Sequence, residues 1–500
     1  NVLIQAGGAY RQTGSDVITP GGDVTVVAQS ILIEGAREEQ QLEQTTKFRQ
    51  SGLTVAVSSP MISAAQGVAQ MSQAAGDVGD PRLQALAAGS AALSVREATQ
   101  ALSQSPQTGG GVTVSLTVGG AKSDSQLTQS ASGTRASAIE AGGNVKLIAT
   151  GAGEDSHLTL RGSDVSAAGH ATLMAEGNVT LQSQAQSVQQ HRIERSRSAG
   201  VGLALTYGQG GWAAGFTANA SAARGNADGQ DVTHRHTEVN AGQSTTLISG
   251  RDTTLSGAQV SGEQLTARVG RDLTIHSVQD TATYDSRHQS AGGSVTLGYG
   301  FAASASHSQA RVEADHASVS QHSGLRAGDQ GFQVEVQGHT ELQGGLIAST
   351  QAAVDEGRNR LATGTLSTQD LTNRSEHDAR GISLSGGFSY GGSGKQGSSE
   401  GASANSPGST SAPASPSSGV ALQQFQTGSQ GAAAGYVSDS SQRTSTTRSG
   451  ISGGEVVITD AVAQQERTGQ TAEQTLAAVN RDVLSSTEAN GLSQRWDGQK

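Results

Sequence analysis

The sequence predicts an all-β solenoid interrupted by long antiparallel hairpins, and three observations lead there. First, a short phrase of glycine, a polar residue and alternating Thr, Val or Leu recurs. It reads GGDVTVV at 21–27, GGNVKLI at 142–148, EGNVTL at 176–181, GRDTTL at 250–255 and GRDLTI at 270–275. The last two copies lie 20 residues apart, and HLTL (157–160) precedes NVTL (178–181) by 21. A period near that length is too short for a domain and is that of stacked coils. Second, 68 glycines stand against six Tyr, six Phe and two Trp. So few large apolar side chains cannot fill several globular cores, but they can fill a core one coil wide. Third, the repeats alternate with longer stretches that carry their own strand alternation and reversals.

The coil segments fall at 1–36, 141–186, 241–278 and 326–365. In the third, Leu247, Leu255, Leu265, Val269, Leu273 and Ile275 follow a period of two, with Gly250 and Gly270 at equivalent corners. Runs of four to six alternating residues broken by Gly-Asn or Gly-Arg-Asp read as short strands joined by sharp turns. Twenty residues per turn leave room for three strands per coil, stacked at the spacing of a parallel sheet. Glycine suits the corners, where positive φ or close backbone approach is required.

Four excursions, at 37–140, 187–240, 279–325 and 366–453, separate these segments. Each runs out along an alternating strand, reverses and returns. The first carries Leu53, Val55 and Val57, then Val112, Val114, Leu116 and Val118. The second carries Val201, Leu203, Leu205 and Tyr207, then Trp212, Ala214 and Phe216. Val295, Leu297, Tyr299, Phe301 and Ala303 mark the third. Ile382, Leu384, Phe388 and Tyr390 mark the fourth, which returns near Tyr436. Two tips are decorated. Residues 61–107 turn helical in character, with Asp80-Pro81 as N-cap and first-turn proline. The Gly/Ser/Pro tract at 391–419 reads as disordered. The last unit, 454–500, holds one strand, EVVITD at 455–460. A helix follows, capped by Thr471 with Gln474 completing a capping box, and Leu476, Val479 and Val483 on one face.

The net charge is −11, from 32 basic and 43 acidic residues, and no Lys/Arg cluster stands out along the sequence. Nucleic acid is therefore not an expected partner. The absence of cysteine excludes disulfides and thiolate metal sites. No run of 18 apolar residues offers a transmembrane helix, and no signal peptide precedes Asn1; with repeats already under way near residue 20, a piece of a longer protein is expected.

These residues resemble the haemagglutinin repeats of filamentous haemagglutinins and contact-dependent inhibition effectors, the two-partner-secretion exoproteins. Coils and hairpins together are similar to the family's second repeat region. Residues 454–490 are similar to the start of its pretoxin region, with Thr468-Gly469-Gln470-Thr471-Ala472-Glu473 and Asn480-Arg481-Asp482. The resemblance implies a right-handed parallel β-helix, secreted through an outer-membrane two-partner-secretion transporter and displayed on the bacterial cell surface. It further implies a downstream toxin domain in the same polypeptide, and a target-cell outer membrane or surface receptor as partner.

Within these residues the sequence offers no convincing catalytic, cofactor or metal site. His234 and His236 share a strand face at a spacing that suits Zn or Cu, but no third ligand is evident. His288, His307, His316 and His322 gather in the third excursion, where protonation would weaken it, or they line solvated polar faces. Glu154 and Asp155 sit in a loop with nothing to orient them for glycoside chemistry. Asp23, Asp252 and Asp272 occupy corners, where Asp serves the turn. The hairpins carry the stronger signal. Val201, Leu203, Leu205, Tyr207, Trp212, Phe216, Val295, Leu297, Tyr299, Phe301, Ile382, Leu384, Phe388 and Tyr390 give strands apolar on one face, as in membrane barrels. Either those faces pack on one another or on the rod, or they contact a membrane or partner. Two functions follow: toxin delivery across a target outer membrane, or an adhesin rod attaching to host cells or biofilm partners.

Overall fold

Most inward positions of the coils carry an aliphatic or small side chain, Phe332 and Gln12 being exceptions, and stacking those positions builds the rod. In the computed structural model, residues 1–58, 112–208, 211–298, 301–390 and 430–493 are described. The helical stretch expected at 61–107 and the tract at 391–419 lie outside them. Each coil lays one strand on each of three parallel faces. The fifth coil is representative: Ser244–Ser249, Thr253–Ser256 and Ala258–Gly262. Partners in register form aliphatic ladders along the rod. On the first face the ladder runs Ile4, Val26, Leu147, Leu173, Leu247, Ala267, Val334, Leu361 and Val456. On the third it runs Val17, Ile139, Val165, Val239, Val260, Leu325, Ile347 and Ile451. Leu247, Leu255, Leu265, Val269, Leu273 and Ile275 are all buried in one continuous core.

The three corners use different chemistry. At two of them a side chain accepts the backbone N–H of the equivalent residue in the next coil. Asn144 N–H donates to Asp23 Oδ1 at 2.7 Å and His170 N–H to Asn144 Oδ1 at 2.9 Å. On the second corner Asp252 N–H donates to Asn178 Oδ1, Asp272 N–H to Asp252 Oδ1 and His339 N–H to Asp272 Oδ1, at 3.1, 3.3 and 2.7 Å. The corner aspartates thus serve the neighbouring coil's backbone rather than only their own turn. Gly250 and Gly270 sit there because a Cβ would lie about 2 Å from a carbonyl oxygen below, that of Glu176 or Gly250. They are needed for close approach, not for positive φ.

The third corner alternates. In the first, third, fifth and seventh coils a left-handed glycine turns it: Gly14, Gly162, Gly257 and Gly344, with φ of 54°, 52°, 66° and 57°. In the second, fourth, sixth and eighth coils a hairpin leaves there instead. The four hairpins are Ala36–Ser58 with Val112–Arg135, Gln184–Gly208 with Gly211–Arg235, Gln279–Leu297 with Phe301–Val319, and Leu371–Tyr390 with Gln430–Thr447. They are not separate projections. Each hydrogen-bonds to the next, so the eight long strands form one antiparallel sheet in sequence order.

The rod's far end is closed by the segment after Glu455–Ile458. Helix Ala461–Thr468 presents Gln464, fully buried, whose Oε1 accepts from Leu366 N–H at 2.7 Å while its Nε2 donates to Leu366 O at 3.0 Å. That amide does for Leu366 what a further strand would do. Thr471 and Gln474 form the capping box of helix Ala472–Ala478. The helix stops there, so the face expected from Leu476, Val479 and Val483 is not helical throughout. Thr475 is its buried residue, and Val479 and Val483 are buried from extended backbone. The chain must extend because Asn480 O accepts from Ile451 N–H and Ser485 N–H donates to Ser349 O, as a strand on the third face would.

Two substitutions test this construction. Gly257→Ala forces a Cβ to 2.4 Å from Ser183 Oγ at a left-handed φ, and we expect a loss of roughly 1–3 kcal/mol in chemical denaturation. Gln464→Leu strands both polar groups of Leu366 and should lower stability by about 2–4 kcal/mol; an unchanged denaturation midpoint would count against the capping role.

Candidate membrane- and partner-contact face

The shared sheet places the hairpin residues by register. In an antiparallel sheet, directly opposite residues lie on the same face. One row across the strands reads Leu53, Val118, Val201, Ala218, Val295, Ala303 and Phe388. The next row toward the tips contains Leu116, Leu203, Phe216, Leu297 and Phe301 on the same face. Both rows are open to solvent: Val201 is 63% exposed, Phe216 66%, Leu297 52% and Phe388 47%. The Phe301 and Phe388 rings meet with centroids 5.2 Å apart, tilted by 49°. Along this face Val118, Val201, Ala218, Val295, Ala303 and Phe388 line a trough of about 1190 Å³.

The opposite face has different chemistry. Its corresponding row is Thr117, Gly202, Thr217, Thr296 and Ala302. Thr117, Thr217 and Thr296 are buried, although small. A Cβ on Gly202 would stand 2.7 Å from Leu116 O, and one on Gly119 2.6 Å from Ala199 O. Neighbouring backbones approach so closely at these two positions that no Cβ fits.

The structure therefore brings together Val201, Leu203, Phe216, Val295, Leu297, Phe301 and Phe388. Ile382 and Leu384 are exposed on the same face but several rows nearer the rod, opposite Gln309 and His307. Leu205 and Tyr207 stand opposite Ala214 and Trp212 in the backbone register, and Tyr390 opposite Phe301. Tyr299 lies outside the described residues. Packing of these apolar faces on one another or on the rod does not occur among the described residues. Hairpins joined edge to edge must all point their alternate residues the same way, so no hairpin can cover another's face.

The polar candidates resolve into structural roles. His234 Nδ1 lies 3.1 Å from Asp280, whereas His236 Nδ1 lies 3.2 Å from Gln321 Oε1. Among the described residues no group of three His, Asp or Glu is placed to hold a metal ion. Glu154 is oriented after all, by an ion pair with Arg251. The four third-excursion histidines do not converge. His288 and His307 lie on opposite faces of their hairpin, and His322 sits below it with Nδ1 2.8 Å from Gly344 O. Burial pushes the pKa of His236, His316, His322 and His339 down.

Comparison with known proteins gives the chain a family. The family described as hemagglutinin repeat matches residues 118–293. The chain is 35% identical over 401 residues to Toxin CdiA of Escherichia coli, covering 77% of this chain and 13% of that protein. This chain belongs to the haemagglutinin-repeat exoproteins of the CdiA type. The tRNA nuclease CdiA of Yersinia mollaretii is 35% identical over 395 residues, 76% of this chain and 13% of the relative. The Deoxyribonuclease CdiA of Yersinia pseudotuberculosis is 34% identical over 400 residues, 77% and 36% respectively. No solved structure matches. The chain thus spans a small part of CdiA-type relatives, whose haemagglutinin-repeat proteins are secreted to the cell surface. No helix among the described residues is long and apolar enough to cross a membrane.

The buried histidines make the junction of hairpins and rod sensitive to acid. Their folded pKa lies below the unfolded value of about 6.5, so below that pH the unfolded chain binds more protons. Stability is then complete above about pH 6.5 and falls as pH falls. We expect the thermal midpoint to drop between neutral pH and about pH 5, and His322→Gln to flatten that dependence.

Proposed function

We propose that this chain is the haemagglutinin-repeat stalk of a secreted exoprotein that carries a C-terminal toxin to a target bacterium and across its outer membrane. The β-helix is the rod, and the eight-stranded sheet is the part that engages the target. One observation carries this reading: a continuous apolar face, assembled from adjacent hairpins, exposed at the end of the sheet away from the rod. A patch of that extent, bounded by polar surface, marks an interaction site. Large apolar residues on one face and Thr, Ser and Gly on the other is also the division of a membrane strand. In this reading the rod is exported by an outer-membrane two-partner-secretion transporter. The segment from Ala461 onward leads toward a toxin domain further along the polypeptide. The toxin and nuclease names of the relatives agree with such a cargo, and the stalk's own part is mechanical.

Co-flotation with outer-membrane vesicles tests the assignment. The chain is expected to float with the vesicles, and Leu203→Asp combined with Leu297→Asp to leave it at the bottom. Two charges at exposed positions should barely change the melting temperature, because neither side chain belongs to the core. A chain that never floats, or a double variant that floats as well as the parent, overturns the reading.

A further inference from the structure

The register that assembles the apolar face also assembles a belt of cations beside it. Moving toward the rod on the same face, one row of small residues follows the apolar rows: Gly120, Ala199, Ala220 and Gly293. The next row places Arg49, Lys122 and Arg197 directly opposite one another on three neighbouring strands. The row after it places Arg195 directly opposite Arg224 and, on the far side of Asp124, Lys47. Arg197 is four residues from Val201, about 14 Å along the strand. All six cations are exposed.

Two features distinguish this belt from an ordinary solvated surface. Like charges directly opposite in a sheet repel, yet the belt contains Arg49–Lys122–Arg197 and Arg195–Arg224. A single carboxylate stands among the six cations, Asp124, directly opposite both Lys47 and Arg195, and one carboxylate cannot offset six cations. On the third and fourth hairpins, Arg287 and Arg311 lie 3.6 and 3.7 Å from Asp285, and Arg380 lies 2.8 Å from Asp378. Of the six belt cations only Lys122 has an ion pair among the described residues, with Asp124 at 3.0 Å. Arg224 instead donates to the neutral amide of Gln289. In a chain of net charge −11, a one-sided group of six cations with one carboxylate among them, next to an apolar surface, calls for an anion from outside.

We propose that this belt binds the phosphates of lipid headgroups, with the apolar rows beyond it in contact with the acyl region of the same leaflet. The assignment rests on the membrane reading above and names the chemistry that the membrane must carry. An apolar zone bounded at one end by a cationic belt is the arrangement in which strand and headgroup charge meet at the same depth. Lys and Arg near an anionic leaflet each strengthen attachment about fivefold at low salt. The sequence conceals the belt because its members come from four strands of two different excursions, up to 177 positions apart between Lys47 and Arg224.

The test is binding of the full 500-residue chain to vesicles of phosphatidylcholine, with and without phosphatidylglycerol, read by co-sedimentation. Binding should be much tighter to the phosphatidylglycerol vesicles and should weaken as salt is raised. The triple variant Lys122→Gln, Arg195→Gln, Arg197→Gln should lose roughly a hundredfold on those vesicles. It should melt at the same or a higher temperature than the parent, since opposed like charges are removed. Equal binding to both compositions, or a triple variant that binds like the parent, overturns the belt and leaves the membrane reading standing. No binding to either composition overturns both. Retention on a DNA duplex through these cations, without vesicle binding, assigns the belt to nucleic acid and overturns the lipid proposal.

Discussion

The structure depends on one shared spacing. Adjacent strands of a sheet lie about 4.8 Å apart, whether they are successive coils of a rod or successive strands of a hairpin. A hairpin is therefore as wide as two coils are tall, about 9.6 Å. Because a hairpin leaves the rod at every second coil, and always from the same corner, each one arrives next to the edge of the one before. A hairpin at every coil would crowd, and one at every third would leave a gap a single strand wide. At every second coil the hydrogen-bonding edges meet, and four local insertions become one eight-stranded sheet.

The left-handed glycines keep that rhythm. Gly14, Gly162, Gly257 and Gly344 close the corner in the coils that carry no hairpin, and each donates its N–H to the strand end just before the following hairpin: Glu34, Gln182, His276 and Gln369. The coil with the glycine thus braces the strand from which the next hairpin departs. Polar groups elsewhere in the rod do similar work. Asp23, Asp252 and Asp272 hold backbone N–H groups of the next coil, and Arg271 beside Asp252 keeps that carboxyl below its ordinary range. Side chains that in isolation suggest acid chemistry are committed to holding coils in register.

Once the hairpins are joined, function becomes a property of rows that cross the sheet. A single amphipathic hairpin could bury its apolar side against the rod. Eight strands tied to the rod at their bases cannot turn over, so their apolar side stays open. Toward the tips the opposite side is mostly Thr, Ser, Ala and Gly, and neighbouring backbones crowd it at Gly119 and Gly202. The asymmetry between faces, and the order from apolar to small to cationic along the strands of the first two hairpins, comes from the same alternation repeated in register.

The sequence by itself determined the coil, its three strands, the inward aliphatic ladder, the hairpin strands and the capping box at Thr471 and Gln474. All of these are short-range, set by alternation and by glycine within about twenty residues, and such patterns are read directly along the chain. Where a helix had to give way to tertiary pairing, as after Ala478, the local pattern misled, since Val479 and Val483 are held by strand contacts from the rod rather than by helical spacing. Only the tertiary structure decided that the hairpins share one sheet and that Val201, Phe216 and Phe388 form a common face. It alone set Lys47, Arg197 and Arg224 beside that face. Those outcomes depend on which coil each hairpin leaves and on the register between hairpins far apart in sequence. That register is set by the two-coil rise of the rod, a quantity that no local pattern contains.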